Sequence, residues 1–333
     1  MKKLFLVTIF IFSVSFNLLR AQDLHLSMYD AAPLNLNPAM TGMFDGYYRV
    51  HAHYRTQWSA VSTKPYLTTG LSFDIPVKKI ALGAQIFNYR SGAGNFNVFT
   101  FLLSGAYDMA VDQQKFHHVS VGLQAGFIQT SLDIAKLTFG NQFIPTGSGG
   151  TFDQGLPSGE ASATGNSTIP DVNAGLMYYY ANANSRINPF LGGSFFHLTQ
   201  PNQAVATNGV TSKLPFRFTI HGGCKINISE RIQLVPKFLY MDQINDKELT
   251  TSIIGHYYLK TYDAFLFFGP TFRNKDAAIV EGGLKYGKFT YGVSYDINTS
   301  SLIVNTNGRG GLEFSVTYIP KVQKPHSPIC TRL

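Results

Sequence analysis

One stretch of strict alternation decides the fold: Tyr48-Arg49-Val50-His51-Ala52-His53-Tyr54-Arg55-Thr56-Gln57-Trp58. Residues of one parity are aromatic, aliphatic or small, and residues of the other parity are Arg, His or Gln. A period of two residues indicates a β-strand with an apolar face and a polar face. An apolar face with aromatic ends, backed by a polar face, is typical of a transmembrane barrel strand that lies between lipid and lumen.

The same alternation recurs along the chain, in 67–74, 118–127, 289–297 and 312–318. Further strand-like runs begin near Ile80, Phe99, Val172, Asn188, Phe216, Ile232, Leu249, Tyr262 and Ala277, with turn clusters such as 91–94 and 274–276 between them. The pattern predicts an all-β fold, a transmembrane antiparallel outer-membrane β-barrel of about fourteen strands. An even strand number is the rule for bacterial single-chain barrels.

The composition agrees with a lipid-facing surface. Charged residues and aromatic residues each make up 14% of the chain, and the mean hydropathy is +0.00. A bundle of membrane helices would be far more apolar, and no window after Gln22 offers the roughly 18 apolar residues that a spanning helix needs. A soluble β-sandwich remains the alternative. The net charge of +8 is scattered along the chain, so we predict no nucleic-acid binding.

The chain begins with the layout of a secretory signal: Lys2-Lys3, an apolar run from Leu4 to Phe12, and Ala21-Gln22. We expect export, cleavage near Ala21 and residence in the outer membrane, with an N-terminal membrane anchor as the alternative. The predicted organisation is a signal peptide at 1–21, a short N-terminal periplasmic or plug-like segment at 22–46, a β-barrel at 47–320 and a periplasmic tail at 321–333. Within the barrel, the Gly-, Ser-, Thr- and Pro-rich stretch 138–171 is predicted to be one long extracellular loop.

Two motifs go beyond the strand pattern. The first is Pro33-Leu34-Asn35-Leu36-Asn37-Pro38-Ala39-Met40-Thr41-Gly42, and the second is Tyr54-Arg55-Thr56-Gln57-Trp58. In order and spacing they resemble the PorP/SprF family of Bacteroidetes outer-membrane proteins, and weaker similarity continues to the last strand. The resemblance implies an association with the type IX secretion system and gliding motility. Proteins of this kind help to secrete or retain large surface adhesins.

The resemblance also implies partners: outer-membrane lipid, a secreted adhesin-type cargo, and periplasmic or peptidoglycan-linked secretion components. The candidate partner-docking residues are Asn37, Pro38, Ala39, Thr41, Gly42, Tyr54, Arg55, Gln57 and Trp58. The first motif also has a purely structural interpretation, as an alternative to partner docking. Asn can cap its own backbone, Pro fixes φ and Gly allows positive φ, so Asn37–Gly42 would form a rigid turn.

The polar face of the first strand has a structural reading as well. Its Arg and His residues would line the lumen and bond acids such as Asp74 and Glu313. His51 and His53 share one face, but Arg49 and Arg55 on either side would repel a cation, so we predict no metal site.

We predict neither enzyme activity nor a cofactor, because the chain lacks the marked signatures of hydrolases, zinc proteases and nucleotide-binding folds. A passive porin or solute channel is the main alternative function, and a barrel enzyme with a dispersed site is a third. Cys224 and Cys330 lie far apart without a metal-binding spacing, and a single bridge between them is not favoured.

Overall fold

The computed structural model describes residues 23, 25–58, 64–92, 94–133, 136–147, 149–159, 165–203, 212–244, 246–300 and 303–320. The expected signal peptide and the expected tail at 321–333 lie outside these residues. The described chain forms a closed antiparallel barrel of 14 strands, with a separate two-stranded hairpin. The predicted fold class and strand number are therefore confirmed.

The strands are β1 Arg49–Gln57, β2 Tyr66–Val77, β3 Ile80–Ser91, β4 Phe96–Ala110, β5 His117–Ser131, β6 Phe143–Thr146, β7 Gly149–Phe152, β8 Asn166–Tyr180, β9 Ile187–Phe196, β10 Arg217–Asn227, β11 Ile232–Gln243, β12 Asp246–Leu259, β13 Ala264–Arg273, β14 Ala277–Tyr286, β15 Phe289–Asn298 and β16 Arg309–Tyr318. Short helical turns cover Tyr29–Ala31, Pro33–Leu36, Pro38–Met40, Gly140–Gln142, Lys260–Tyr262 and Ile303–Thr306. Among the described residues, none of these helices has the length and apolar character needed to cross a membrane.

Each barrel strand pairs with its neighbours in the chain, and β5 pairs directly with β8 because β6 and β7 form the separate hairpin. The barrel closes between its first and last strands, where Val50 lies opposite Tyr318 and Arg55 opposite Glu313. Closure gives every strand two partners, which a spanning sheet requires because lipid cannot hydrogen-bond an exposed strand edge.

The two faces of the sheet are reversed relative to a soluble protein. On β2, Leu71 and Phe73 are exposed, whereas Ser72 and Asp74 are buried. On β15, Tyr291 and Val293 point outward, and Ser294 is buried. An apolar outer face with a polar interior is the arrangement that lipid imposes on a barrel.

The strand starts at Ile80, Ile232 and Ala277 match the sequence prediction, and the others lie within a few residues of it, except that β8 begins at Asn166. The first three residues of β8, 166–168, are all polar, so the alternation of apolar and polar residues that marks a strand begins only after them. For the same reason the connection between β5 and β8 covers 132–165, and it contains the β6–β7 hairpin instead of being unstructured throughout.

The two ends of the barrel differ. One end holds the start of β1, the end of β16 and the short connections 78–79, 111–116, 181–186, 228–231, 260–263 and 287–288. The longest connections, 132–165, 197–216, 299–308 and 58–65, lie at the other. Because outer-membrane barrels have short periplasmic turns and longer extracellular loops, we call these the periplasmic end and the outer mouth.

The largest buried apolar cluster lies inside the barrel. It joins Tyr29, Leu36 and Ala39 of the N-terminal segment to Met177 of β8 and Leu239 of β11. Wall side chains can fill the interior of a barrel of about eight strands, but a barrel of 14 strands is wider. Here the N-terminal segment fills the interior that the wall side chains leave. We call residues 25–44 the lumenal segment.

Candidate functional site

The lumenal segment is built from short turns that proline starts. Pro33 and Pro38 occupy the first positions of two of them, where the missing N–H of proline costs nothing. Asn37 stands between the turns, and its Oδ1 accepts a hydrogen bond of 2.9 Å from the Ala39 N–H. The first motif therefore forms the rigid capped turn that its structural reading describes, and Gly42 completes it with a φ of +71°.

The Asn37 side chain also fixes this turn to the wall. Its Nδ2 donates to the Leu176 carbonyl at 3.0 Å and lies 3.1 Å from Nε2 of His221. Thr41 Oγ1 donates to the Pro38 carbonyl within the turn at 2.8 Å. All six residues of Asn37–Gly42 are buried, so this part of the candidate docking motif faces the barrel's own wall.

Wall glycines make room for the turn. A Cβ at Gly122 on β5 would overlap the Pro38 and Ala39 backbone, and a Cβ at Gly175 on β8 would overlap the Asn37 side chain. The segment thus packs against bare backbone at these two points. The Ser120 hydroxyl, next to the first gap, donates to the Ala39 carbonyl at 2.8 Å.

At the periplasmic end, Arg49 and Asp74 form the ion pair that the sequence predicts. Arg49 donates twice to the Asp74 carboxylate, at 2.9 and 2.7 Å, and once to the Met40 carbonyl at 3.2 Å. The same carboxylate accepts the Gly42 N–H at 2.7 Å. One buried acid therefore joins the first strand to the end of the lumenal segment.

Higher in the lumen, Arg55 lies between two acids. Its guanidinium is 2.7 Å from Glu313 and 2.9 Å from Asp296, and both contacts are almost completely buried. Arg273 reaches Asp296 at 3.0 Å from the other side. The predicted pairing of the first-strand polar face with Glu313 is present, whereas Asp296 and Arg273 were not foreseen, because a two-residue period does not reveal which strands face one another.

The lumenal segment docks onto this charged cluster through its backbone. The Ser27 and Met28 N–H groups donate to Glu313 at 2.8 and 2.7 Å. The Ser27 hydroxyl donates to Asp296 at 2.6 Å and contacts Arg55. Carboxylates that accept several N–H and O–H groups are well satisfied in a buried site. The arrangement gives this part of the segment one defined position.

His51 and His53 lie on the same buried face. Nε2 of His51 is 3.2 Å from Nδ1 of His53, and Nε2 of His53 is 3.0 Å from Glu313. The pair is thus engaged with its neighbours, and Nδ1 of His51 meets the Thr317 hydroxyl at 2.9 Å. Among the residues that the structure describes, no group of three or more His, Cys, Asp or Glu side chains could hold a metal ion.

Two further acids of the N-terminal chain meet wall cations, and the sequence pattern did not identify them. Lys237 Nζ lies 2.8 Å from Asp30 and 3.1 Å from Glu281. Asp23 lies 2.7 Å from His197 and 3.1 Å from Arg217. Single acids in a segment without strand periodicity give no signal, although the absence of Lys and Arg from residues 23–44 is visible in the sequence.

The electrostatics of the Asp23 contact are set by burial and charge together. Burial alone would lower the pKa of His197, but the attraction of Asp23 and the hydrogen bond to Asp171 outweigh burial and raise this pKa to about 9. Burial would likewise raise the pKa of Asp23, but His197 and Arg217 hold it well below the usual range. His197 is therefore a cation between two carboxylates at neutral pH.

The second motif has a different position. Arg55 is the member that reaches the lumen cluster, while Tyr54 points outward with 44% of its surface exposed. Gln57 ends β1 towards the outer mouth, and Trp58 follows with a φ of +58° and its ring against Tyr66 at 4.5 Å. The structure brings Arg55 to the lumenal segment, leaves Tyr54 on the lipid-facing side and places Trp58 half-buried against Tyr66.

These features define a class: an outer-membrane β-barrel whose lumen is occupied by its own N-terminal segment. The family described as "Type IX secretion system membrane protein PorP/SprF" matches residues 18–318. The chain belongs to this family, as the two motifs indicated, and its place is the outer membrane.

Solved structures of other proteins align with most of this chain. The toluene transporter TbuX of Ralstonia pickettii aligns with a TM-score of 0.53 at 11% identity, covering 89% of this chain and 94% of that chain. A Pseudomonas aeruginosa FadL homologue aligns with a TM-score of 0.46 at 11% identity, covering 86% and 93%. At such identities the likeness concerns the barrel alone. A search of curated protein sequences finds no significant match.

Proposed function

We propose that the protein is a non-enzymatic outer-membrane component of the type IX secretion system that assists the secretion or surface anchoring of large adhesin-type proteins, including those used in gliding motility. The observation that carries the proposal is the family match, which spans both N-terminal motifs and the whole barrel. The occupied lumen supports it, because a barrel filled by a hydrogen-bonded segment suits docking better than solute flow.

The two motifs would contribute to partner docking in different ways, because they lie in different parts of the barrel. Asn37–Gly42 would act indirectly, by holding the lumenal segment in place. Tyr54 and Trp58 are the members that a partner could meet, since Tyr54 is exposed on the outer face and Trp58 lies where β1 ends. Periplasmic secretion components would meet the opposite end, where β16 ends at Tyr318.

Deletion of the gene tests the cargo role. Surface display of one large secreted protein should be lost, measured by antibody binding to intact cells, and should return with the wild-type gene. Normal display in the deletion strain would contradict the proposal. Among complementing variants, Trp58→Ala should reduce display, whereas Tyr262→Ala, at an exposed position of the periplasmic end, should not.

The alternative, a passive porin or solute channel, is separated by a second measurement. Purified protein in planar lipid bilayers should give no large, stable conductance, because residues 25–44 occupy the lumen. Stable open-channel conductance of the intact protein would favour the porin reading instead.

A further inference from the structure

The contacts of the N-terminal chain with the wall are ordered along the barrel axis. Gly42 meets Asp74 on β2, whose partner Arg49 is the first residue of β1, so this contact lies at the periplasmic end. Asn37 meets His221 in the interior of β10. Ser27 meets Asp296, two residues before β15 ends towards the outer mouth.

Asp23 continues this order. His197 directly follows the last residue of β9, and Arg217 is the first residue of β10. The Asp23 N–H donates to the Gln243 side chain at 3.1 Å, and Gln243 is the last residue of β11. All three partners therefore lie at the outer mouth, where the connection 197–216 joins β9 to β10. The Asp23 side chain keeps 22% of its surface exposed there.

We infer that the chain is threaded through its own barrel, so that the N-terminus of the mature protein emerges at the outer mouth, on the opposite side of the membrane from the end of β16. Going backwards in sequence from Phe44 to Asp23, the chain runs through the lumen from the periplasmic end to the outer mouth and does not return to the periplasmic end. This inference does not depend on the proposed cargo role. It uses the expected signal cleavage near Ala21, since an uncleaved membrane anchor could not follow Asp23 to the cell surface.

Charge matching explains why the threaded arrangement is specific. Residues 23–44 contain Asp23 and Asp30 but neither Lys nor Arg. Asp30 meets Lys237 near the middle of β11, and Asp23 meets Arg217 and His197 at the mouth. A segment shifted along the axis or reversed would separate Asp23 and Asp30 from these cations. It would also leave the buried Arg217 guanidinium without its carboxylate, which is unfavourable because a buried charge needs a partner.

The amino terminus is then a feature of the extracellular surface, beside the connections 132–165 and 197–216. A partner that binds the N-terminus must approach from outside the cell. The connection 197–216 is packed onto the barrel at this end, because its Leu214 contacts Ile128 of β5 and Ile169 of β8.

Surface labelling of intact cells tests the inference. An epitope inserted directly before Asp23 should bind antibody on intact cells, as should the same epitope at Lys213, an exposed residue of the outer mouth. The epitope placed at Lys288, in a periplasmic turn, should bind only after the cells are permeabilised. Binding of the Asp23 epitope only after permeabilisation, with normal binding at Lys213, would overturn the inference.

Disulfide trapping supplies a second measurement that needs no insertion. In a background with Cys224→Ser and Cys330→Ser, the pair Asp23→Cys and His197→Cys should cross-link under mild oxidation. The pair Asp23→Cys and Lys288→Cys should not. Cross-linking of Asp23→Cys to the periplasmic turn, or no cross-link to His197→Cys in a folded barrel, would contradict the threaded arrangement.

Discussion

Nε2 of His197 lies 2.7 Å from Oδ2 of Asp23, and this contact joins the start of the described chain to the outer mouth of the barrel. The two residues are far apart in the sequence, and neither belongs to a strand: Asp23 precedes β1, and His197 follows β9. Because the pKa of His197 is raised and that of Asp23 is lowered, we expect the strength of this contact to depend on pH.

The sign of this dependence follows from the two shifts. The raised pKa of His197, about 9, stabilises the contact fully below its ordinary value of 6.5, and the stabilisation is lost as pH rises through 9. The lowered pKa of Asp23 stabilises the contact above its ordinary value of 3.8, and the stabilisation is lost as pH falls through the lowered value. We expect the tightest contact between about pH 4 and 6.5.

Hydrogen exchange of residues 25–30 measures the effect. Exchange corrected for its intrinsic pH dependence should accelerate between pH 6.5 and 9 in the wild type. His197→Asn should remove this acceleration, whereas His117→Asn, an exposed histidine of the periplasmic end, should leave it unchanged. A flat wild-type profile would show that His197 does not hold Asp23.

Removal of Arg55 should destabilise the barrel strongly. Arg55→Met leaves Glu313 with His53 and Asp296 with Arg273 but removes the cation between the two acids. Breaking a buried ion pair from one side costs about 3–5 kcal/mol. Urea unfolding in detergent should show this loss, and Arg309→Met, at an exposed position of β16, should cost little. Equal stability of the two variants would contradict the role given to the cluster.

A methyl group at Gly122 should displace the lumenal segment. The new Cβ of Gly122→Ala would overlap the Pro38 backbone, whereas a Cβ at Gly105 meets nothing closer than 3.9 Å. Overpacking of this kind costs about 1–3 kcal/mol. Thermal unfolding should show the loss for Gly122→Ala and not for Gly105→Ala, which carries the same change in strand propensity.

Removal of the segment should open the lumen. A variant lacking residues 25–44 loses the filling of the barrel, and its charged wall would admit water and ions. We expect stable conductance in planar bilayers from this variant and none from the wild type. The outcome that would count against the role of the segment is a closed lumen in the deletion variant, with barrel folding verified by its heat-dependent gel mobility.

The strand pattern, the polar first-strand face and the two motifs could be read from the sequence, because each is local. Alternation on Tyr48–Trp58 shows which side chains point inward, and Asn-Pro with Thr-Gly shows a turn. The lumen cluster could be predicted only in part. Arg55, Glu313 and Asp296 are recognisable as inward-facing charges, whereas the contacts of Asp296 with Arg55 and Arg273 follow only once the registers of β13, β15 and β16 are fixed.

An outer-membrane barrel with a polar lumen is predictable from local sequence alone, because lipid on one side of a strand and water on the other impose a two-residue period on neighbouring residues. The position of the N-terminal segment is not predictable in this way and follows from the folded barrel. Asp23, Ser27 and Gly42 have no periodicity, and their positions depend on wall groups that lie more than 30 residues away in the chain, such as His197 and Asp74. Barrel closure brings those groups together, and their charges hold the segment along the axis.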